Sequence, residues 1–251
     1  VYKRQLNGKL CDAVVSRIGI RSIEFRGADG LYINGKPFGD KLMGVNRHQD
    51  YAYIGNAVPN NLHWLDVKKM RDAGFRIIRS AHYPQDPAFM DACDELGMFI
   101  IVATPGWQYW NPEPVFEERI LSDIRNMVRR DRNHPSVLLW EPVLNETAFP
   151  ESFAQNAYRA THEEYPAPGC YAAIDDKSKG AMGYDVVYTA PKNEAFYRNA
   201  GKSCFTREYG DCVDDWNSHN SYSRVAREWG EEPQIRQAQH YARKDYGGSL
   251  T

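Results

Sequence analysis

Two neighbouring stretches of the sequence decide the fold: Lys68–Arg79 reads KKMRDAGFRIIR and Asp91–Val102 reads DACDELGMFIIV. Each begins with a helical pattern, passes through one glycine and continues as a run rich in isoleucine or valine. A glycine directly after the last helical turn ends a helix well, because it adopts the left-handed backbone conformation without a steric penalty. The two stretches therefore predict a helix that leads directly into a buried strand, twice in succession.

The same alternation extends over most of the chain. Seven short apolar runs are strand candidates, namely Lys41–Asn46, Phe75–Ser80, Met98–Ala103, Val137–Trp140, Tyr171–Asp175, Asp185–Thr189 and Ser203–Glu208. Strands that alternate with helices indicate a parallel sheet covered by helices, either doubly wound or closed into a (β/α)8 barrel. No glycine-rich phosphate-binding loop follows the first strand, which disfavours a nucleotide-binding oxidoreductase or a kinase-like domain. We therefore predict the α/β class and a TIM-type (β/α)8 barrel.

Three helices are predicted in enough detail to test. The helix over residues 61–74 is expected to bury Leu62, Leu65, Met70 and Ala73. Asp86 and Pro87 are expected to begin the second helix, since aspartate caps and proline at the first helical position favours the start. The third, Glu117–Arg130, is expected to bury Ile120, Ile124, Met127 and Val128. Trp140, on the strand that follows, is expected to line the barrel floor.

Composition excludes several classes of partner. Lys and Arg total 31 against 33 Asp and Glu, and a net charge of −2 gives no electrostatic footprint for nucleic acid. Apolar runs such as Met98–Ala103 are far shorter than the roughly 20 residues of a membrane helix, so no membrane association is predicted. The 5 cysteines form no CxxC pair and are odd in number, which argues against a zinc site or a disulfide framework.

Polar residues follow the predicted strands, where barrels carry their chemistry. They are His48, Asp50, His82, Trp107, Glu141 to Glu146, Tyr188, Glu208 and Asp211. No serine or cysteine nucleophile stands in an elbow motif, whereas two carboxylates with aromatic residues suit glycoside hydrolysis. We predict Glu146 and Glu208 as the pair. Glu141 is the rival of Glu146, and a salt bridge to a neighbouring arginine is the role expected for it.

Four motifs then carry a resemblance to a family. NRHQD (Asn46–Asp50), FRIIRSAHYP (Phe75–Pro84), RDRNHPSVLLW followed by NE (Arg130–Glu146) and REYG (Arg207–Gly210) occur in an order and spacing that resemble the catalytic barrel of glycoside hydrolase family 2. That family includes β-galactosidases, β-glucuronidases and β-mannosidases. The resemblance implies a retaining exo-β-glycosidase that acts on carbohydrate, with β-galactosides favoured. The alternatives are a β-glucuronidase, a β-mannosidase, or a silent relative that binds carbohydrate without turnover.

The resemblance also assigns roles to single residues. It implies that Glu146 is the acid/base, Glu208 the nucleophile and Asn145 the partner of the sugar 2-hydroxyl. Tyr188 is implied to hydrogen-bond the nucleophile. Apart from the resemblance, strand alternation turns Arg207 away from Glu208, which makes Tyr188 the better candidate for holding that carboxylate. Sugar contacts are implied for His48, Asp50, His82 and Asp211. His82 could instead be a structural histidine, and the same holds for His48. The aromatic cluster of Trp107, Tyr109 and Trp110 could stack on sugars or bury its own loop.

Departures from the family pattern set further expectations. Ile101–Trp107 reads IVATPGW where many members carry Asp-Glu, followed in the metal-dependent β-galactosidases by a His, so we predict no metal and no cofactor. Arg17–Phe38 resembles the family's join between an immunoglobulin-like β-sandwich and the barrel. Residues 1–28 are therefore predicted to be the tail of a sandwich domain, and residues 29–251 a barrel that stops before its eighth strand. Such a fragment is expected to be poorly stable alone.

The family resemblance implies that the chain is part of a longer, multidomain protein, which is compatible with a homo-oligomer. Periplasmic, secreted and cytoplasmic locations all stay open, because no signal segment is visible.

Overall fold

The chain begins with antiparallel structure in the computed structural model, which describes residues 2–15, 17–39, 41–189 and 193–208. Strands β1 (Tyr2–Leu6) and β2 (Lys9–Val14) pair as a hairpin, and β2 is exposed along its whole length. A second sheet contains β3 (Ile23–Phe25), β4 (Leu31–Ile33) and β5 (Lys36–Pro37). The proposed boundary at residue 28 falls between β3 and β4, which pair with each other. The division into domains stays a prediction.

Seven parallel strands follow, and they are the seven that the sequence predicts. They are β6 (Gly44–Arg47), β7 (Ile77–Ser80), β8 (Phe99–Ala103), β9 (Val137–Glu141), β10 (Ala173–Asp175), β11 (Val186–Tyr188) and β12 (Ser203–Phe205). Neighbours along the chain are hydrogen-bonded neighbours in space, in one sheet of four strands and one of three. A parallel bridge from Trp140 to Ala172 connects β9 to the segment that enters β10. This order is that of a TIM-type barrel. An eighth strand would lie outside the described residues.

Helices connect the strands and cover them. They are α1 (Asn60–Asp72), α2 (Pro87–Leu96), α3 (Pro114–Asp131), α4 (Glu151–Glu164) and α5 (Glu194–Asn199). The predicted start of α2 is confirmed, because the Asp86 carboxylate accepts a hydrogen bond from the backbone N–H of Ala88 at 2.8 Å. Gly97 ends the helix with a φ of 69°. Among the described helices, none combines the length and the hydropathy that crossing a bilayer requires.

The buried faces of the helices agree only in part with the predictions. On α3, all four predicted positions are buried. On α1 the prediction is wrong for Leu65 and Ala73, which are exposed, whereas Met70 is half-buried and packs against the core. The fully buried residues of this helix are His63 and Val67. The His63 ring packs edge-on against Phe89 and lies 3.3 Å from a guanidinium nitrogen of Arg47. A buried polar contact therefore sets the rotation of α1, which a count of apolar residues does not detect.

Two apolar layers surround the strands. The layer between the strands and helices contains Val67, Phe89 and Trp140, and the layer inside the barrel contains Ile77 and Leu139. The expectation that Trp140 lines the barrel floor is wrong. The pairing of β8 with β9 shifts register between Ile100 and Ile101, which changes the side chains that face inward. Trp140 packs against the helices as a result.

Candidate active site

The floor of the site is a buried ion pair at the carboxyl ends of β7 and β9. The Arg79 guanidinium donates Nε to Glu141 Oε2 at 2.6 Å and Nη2 to Oε1 at 2.5 Å. Both side chains are 3% exposed. Burial acts to raise the pKa of Glu141, but the adjacent Arg79 charge and its hydrogen bonds hold that pKa below its ordinary value. Glu141 therefore forms the arginine salt bridge expected for it.

Arg79 also connects this floor to Glu208 and Asn145. Its Nη1 donates to Glu208 Oε1 at 2.6 Å, and its Nη2 donates to Asn145 Oδ1 at 3.1 Å. Arg207 repeats the pattern, since its Nη1 donates to Glu208 Oε1 at 2.7 Å and to Asn145 Oδ1 at 2.5 Å. Two guanidinium groups thus hold the Glu208 carboxylate beside the Asn145 side chain. Charge-assisted hydrogen bonds of this kind are about twice as strong as neutral ones.

The contacts of Arg207 correct one expectation from the sequence. Strand alternation was expected to turn this side chain away from Glu208, but β12 ends at Phe205, so alternation does not extend to residues 207 and 208. Asp175, at the end of β10, fixes the guanidinium by accepting from Nε at 2.6 Å and from Nη2 at 3.0 Å. Arg207 is therefore a site residue, although strand alternation had excluded it.

Tyr188 differs from its expected role as well. It lies at the end of β11 and is buried, as a strand-end position inside the barrel requires. Its hydroxyl has no hydrogen-bond partner within the described segments, so the expected hydrogen bond to Glu208 is not formed. Burial raises the pKa of Tyr188 well above its ordinary value, and the nearby Glu141 acts in the same direction. The arginines, rather than this tyrosine, contact the Glu208 carboxylate.

Glu146 follows Asn145 in the chain and has different surroundings from Glu208. Its backbone has a φ of 47°, a left-handed conformation that is uncommon for a residue with a side chain. Its Oε2 accepts hydrogen bonds from Gln108 Nε2 at 2.6 Å and from Trp107 Nε1 at 3.2 Å. These donors, Gln108 first, lower the pKa of Glu146. The sequence predicted Trp107 as a site residue but not Gln108. The only sequence signal for Gln108 was that it follows Trp107.

Three aromatic rings line the site beside Asn145. The His82 ring centroid lies 5.4 Å from that of His48 and 5.5 Å from that of Trp107. Nε2 of His82 is 3.4 Å from the Asn145 side-chain nitrogen. Burial, followed by the charge of Arg79, lowers the pKa of His82 to about 4, so the ring is neutral at neutral pH. These three predicted residues are brought together.

The two predicted aspartates are less informative. Asp50 is exposed, and its backbone N–H donates to the His48 carbonyl at 2.9 Å, which places it beside the histidine. Its carboxylate forms no hydrogen bond or ion pair with the described residues. Asp211 lies outside the described residues. Its substrate contact stays a prediction.

One group of possible metal ligands lies elsewhere in the barrel. The ligand atoms of Asp91, Asp94 and His134 lie within 4.8 Å of one another, at the end of the barrel where the strands begin. Asp94 accepts from His134 Nδ1 at 2.7 Å and from the Ser136 backbone N–H at 3.0 Å. These hydrogen bonds account for the grouping, which joins α2 to the start of β9. The absence of a metal requirement at the site stays a prediction.

A parallel barrel that carries separate carboxylates, an asparagine and aromatic rings at the carboxyl ends of its strands has the architecture of a barrel hydrolase that acts on glycosides. The chain belongs to the glycosyl hydrolases family 2, of which it contains the TIM barrel domain. The sequence model of that domain matches residues 23–167.

Individual relatives agree with the family. A β-galactosidase from Thermoanaerobacterium thermosulfurigenes is 37% identical over 157 residues, which are 62% of this chain and 21% of the relative. A putative β-glucuronidase from Formosa agariphila is 34% identical over 133 residues, which are 53% of this chain and 16% of the relative. The chain therefore spans about a fifth of the length of these curated relatives.

Solved structures agree on the fold. A β-glycosidase from Bacteroides vulgatus matches with a TM-score of 0.66 at 26% identity, over 80% of this chain and 27% of that one. An FMN-binding β-glucuronidase from Facaelibacterium prausnitzii L2-6 matches with a TM-score of 0.77 over 98% of this chain and 42% of that one. At 22% identity, the second likeness concerns the fold alone.

Proposed function

We propose that the protein is a retaining exo-β-glycosidase that removes terminal β-galactosyl residues, with Glu208 as nucleophile and Glu146 as acid/base. One observation carries the proposal: two glutamates have unlike surroundings, one sharing its arginine donors with Asn145 and the other next to Asn145 in the chain. Arg79 and Arg207 hold the Glu208 carboxylate, whereas Glu146 is exposed and accepts hydrogen bonds from neutral donors only. A retaining mechanism needs one glutamate that stays ionised and one that exchanges a proton.

The chemistry assigns a step to each carboxylate. Glu208 attacks the anomeric carbon while Glu146 gives its proton to the departing glycosidic oxygen, and a glycosyl-enzyme forms. In the second step Glu146 takes a proton from water, the water oxygen bonds to the anomeric carbon, and the bond to Glu208 breaks. Asn145 is proposed to hydrogen-bond the sugar 2-hydroxyl through its side-chain nitrogen, because its Oδ1 is engaged by both arginines.

The substrate class rests on the relatives. β-Galactosides are proposed first, since the relatives at 37% and 34% identity over about 62% of this chain are named β-galactosidases. A β-glucuronidase is the second candidate, which the Formosa agariphila relative favours at 34% identity. His48, His82 and Trp107 are proposed to form the wall of the sugar-binding pocket in either case.

The test uses the full-length protein and a panel of aryl β-galactosides, β-glucuronides, β-mannosides and β-glucosides, each with a good and a poor leaving group. Glu208→Gln should lose more than about 1000-fold in kcat/KM on every substrate, equivalent to about 4 kcal/mol of barrier. Glu146→Gln should lose about 100-fold or more in kcat/KM only with poor leaving groups, because a good leaving group needs no acid in the first step.

Glu163→Gln is the matched control, since Glu163 is on α4 and pairs with Arg125 at the surface. It should retain the activity of the parent. Preference for the glucuronide would select the second candidate. Equal losses in both site variants, whatever the leaving group, would contradict the roles, and an inactive parent would contradict the proposed activity.

A further inference from the structure

We propose that Gln108 is a positioning residue that holds Glu146 as a carboxylate for the water-activating step. The proposal rests on the function proposed above and deepens it. Gln108 Nε2 lies 2.6 Å from Glu146 Oε2, and Trp107 Nε1 lies 3.2 Å from the same oxygen. Both groups are donors here, so both favour an oxygen that carries no proton.

The backbone fixes this arrangement. The N–H of Gln108 donates to the Asn145 carbonyl at 3.0 Å, and Trp107 and Asn145 form a parallel bridge. Gln108 has a φ of 53° and Glu146 a φ of 47°, so both residues adopt the left-handed conformation where the two loops meet. Backbone conformations of this kind often occur at functional sites, where the surrounding structure maintains them.

Gly106 allows the loop after β8 to approach so closely. Its φ is 143°, and a Cβ at this position would lie 2.5 Å from a methyl carbon of Leu144. Only glycine combines that conformation with that space. The side chain of Gln108 is therefore directed toward Glu146 by a loop that is itself packed against the Glu146 segment.

The side chains around Glu146 all act to lower its pKa. Gln108 has the largest effect in lowering the pKa of Glu146, Trp107 follows, burial opposes them, and Arg207 and His82 add to the lowering. Arg207 faces the site from the end of β12 and His82 from the end of β7. A lowered pKa hinders proton donation to a leaving group and favours the base form that the second step needs.

The hydrogen bonds also separate the two oxygens of Glu146. Both donors engage Oε2, which leaves Oε1 to accept the proton from the attacking water. Gln108 is therefore expected to help the hydrolysis of the glycosyl-enzyme and to contribute little when it forms from a substrate with a good leaving group. Loss of Gln108 is therefore expected to lower kcat and to change kcat/KM little.

The test is Gln108→Met in the full-length protein, because methionine has a similar length and no N–H donor. With a 2,4-dinitrophenyl β-glycoside, kcat should fall about tenfold, a part of the 10²–10⁴ that a general base contributes. kcat/KM should change less than about twofold, because it reports the first step. The low-pH limb of kcat should move to higher pH, and the initial burst of dinitrophenolate should grow.

Gln108→Glu is the second variant, and it should move the low-pH limb further, since a second carboxylate disfavours the ionised form of Glu146. Gln155→Met is the control, because Gln155 is exposed on α4 and bonds Glu151 at 3.3 Å. Parallel losses in kcat and kcat/KM with an unmoved pH limb, or no change at all, would overturn the proposal even if Glu146→Gln behaves as proposed. A parent without glycosidase activity would overturn both proposals together.

Discussion

Arg207 connects more of the site than any single motif suggests. It donates to Glu208, Asn145 and Asp175, and its side chain is 12% exposed. A guanidinium in this position does two things at once: it orients the carboxylate of the proposed nucleophile and compensates the partly buried charge of Asp175. Removing it therefore leaves Asp175 without its guanidinium partner and leaves Glu208 with Arg79 as its remaining arginine donor.

We predict that Arg207→Gln lowers kcat/KM about 100-fold, since a hydrogen bond to a charged group contributes about 1.5–3 kcal/mol. The double variant Arg207→Gln with Asp175→Asn should recover unfolding stability but not activity, because it removes the unpaired charge without restoring the donor on Glu208. Urea unfolding and aryl glycoside kinetics check the two parts separately.

Arg125→Gln serves as the control for that pair of variants. Arg125 forms an exposed ion pair with Glu163, and its loss should cost less than about 1 kcal/mol and no activity. If Arg207→Gln kept normal kcat/KM, the contacts of Arg207 would be structural only, and its assignment to the site would be wrong.

At the residue level, the sequence predicted which residues belong to the site better than it predicted their contacts. It predicted the arginine salt bridge of Glu141, because a carboxylate at a buried strand end needs a cation. It could not predict the contacts of Arg207, which depend on where β12 ends. Nor could it predict Gln108, whose direction depends on two left-handed residues.

At the level of elements, an ion pair fixes α2 to the start of β9. His134 Nδ1 lies 2.7 Å from Asp94 Oδ2, and the two side chains are 19% and 7% exposed. The hydrogen bond and charge of Asp94 raise the pKa of His134 above its ordinary 6.5. Because the folded protein binds this proton more tightly than the unfolded chain, the pair's stabilisation is complete below pH 6.5 and is lost as pH rises through the raised pKa.

We predict that His134→Asn lowers the free energy of unfolding by about 0.5–1 kcal/mol near pH 6, the contribution of a partly exposed ion pair. The difference from the parent should shrink as the pH rises through the raised pKa of His134 and the ring loses its proton. Urea unfolding at three pH values measures it. A difference that stayed constant or grew with pH would contradict the assigned ion pair, and Asp94→Asn should abolish the pH dependence.

The elements themselves were predictable where local chemistry decides them. Asp86, Pro87 and Gly97 mark the ends of α2, and the structure confirms each role. The buried face of α1 was not predictable from apolar spacing, because His63 occupies it through contacts with Arg47 and Phe89. Trp140 was misplaced because the shift in register between β8 and β9 is not visible in the sequence.

At the level of the whole molecule, the barrel explains why distant motifs form one site. Seven parallel strands end at one side, so Arg207 contacts Asn145 although 62 residues separate the two in the sequence. Alternation of strands and helices predicted this arrangement, since a parallel sheet has few ways to cover its faces. The distances between side chains could be obtained only from the structure.

The most direct test of the central claim is a covalent trap on the full-length protein. A 2-deoxy-2-fluoro-β-galactosyl fluoride has a good leaving group, while its fluorine at carbon 2 slows both steps, so a glycosyl-enzyme should accumulate. Digestion and mass spectrometry should locate one sugar on Glu208, in the parent and in Glu146→Gln, and no label in Glu208→Gln. A label on Glu141, Glu146 or another residue, or hydrolysis of aryl β-galactosides with inversion and no adduct, would contradict the account.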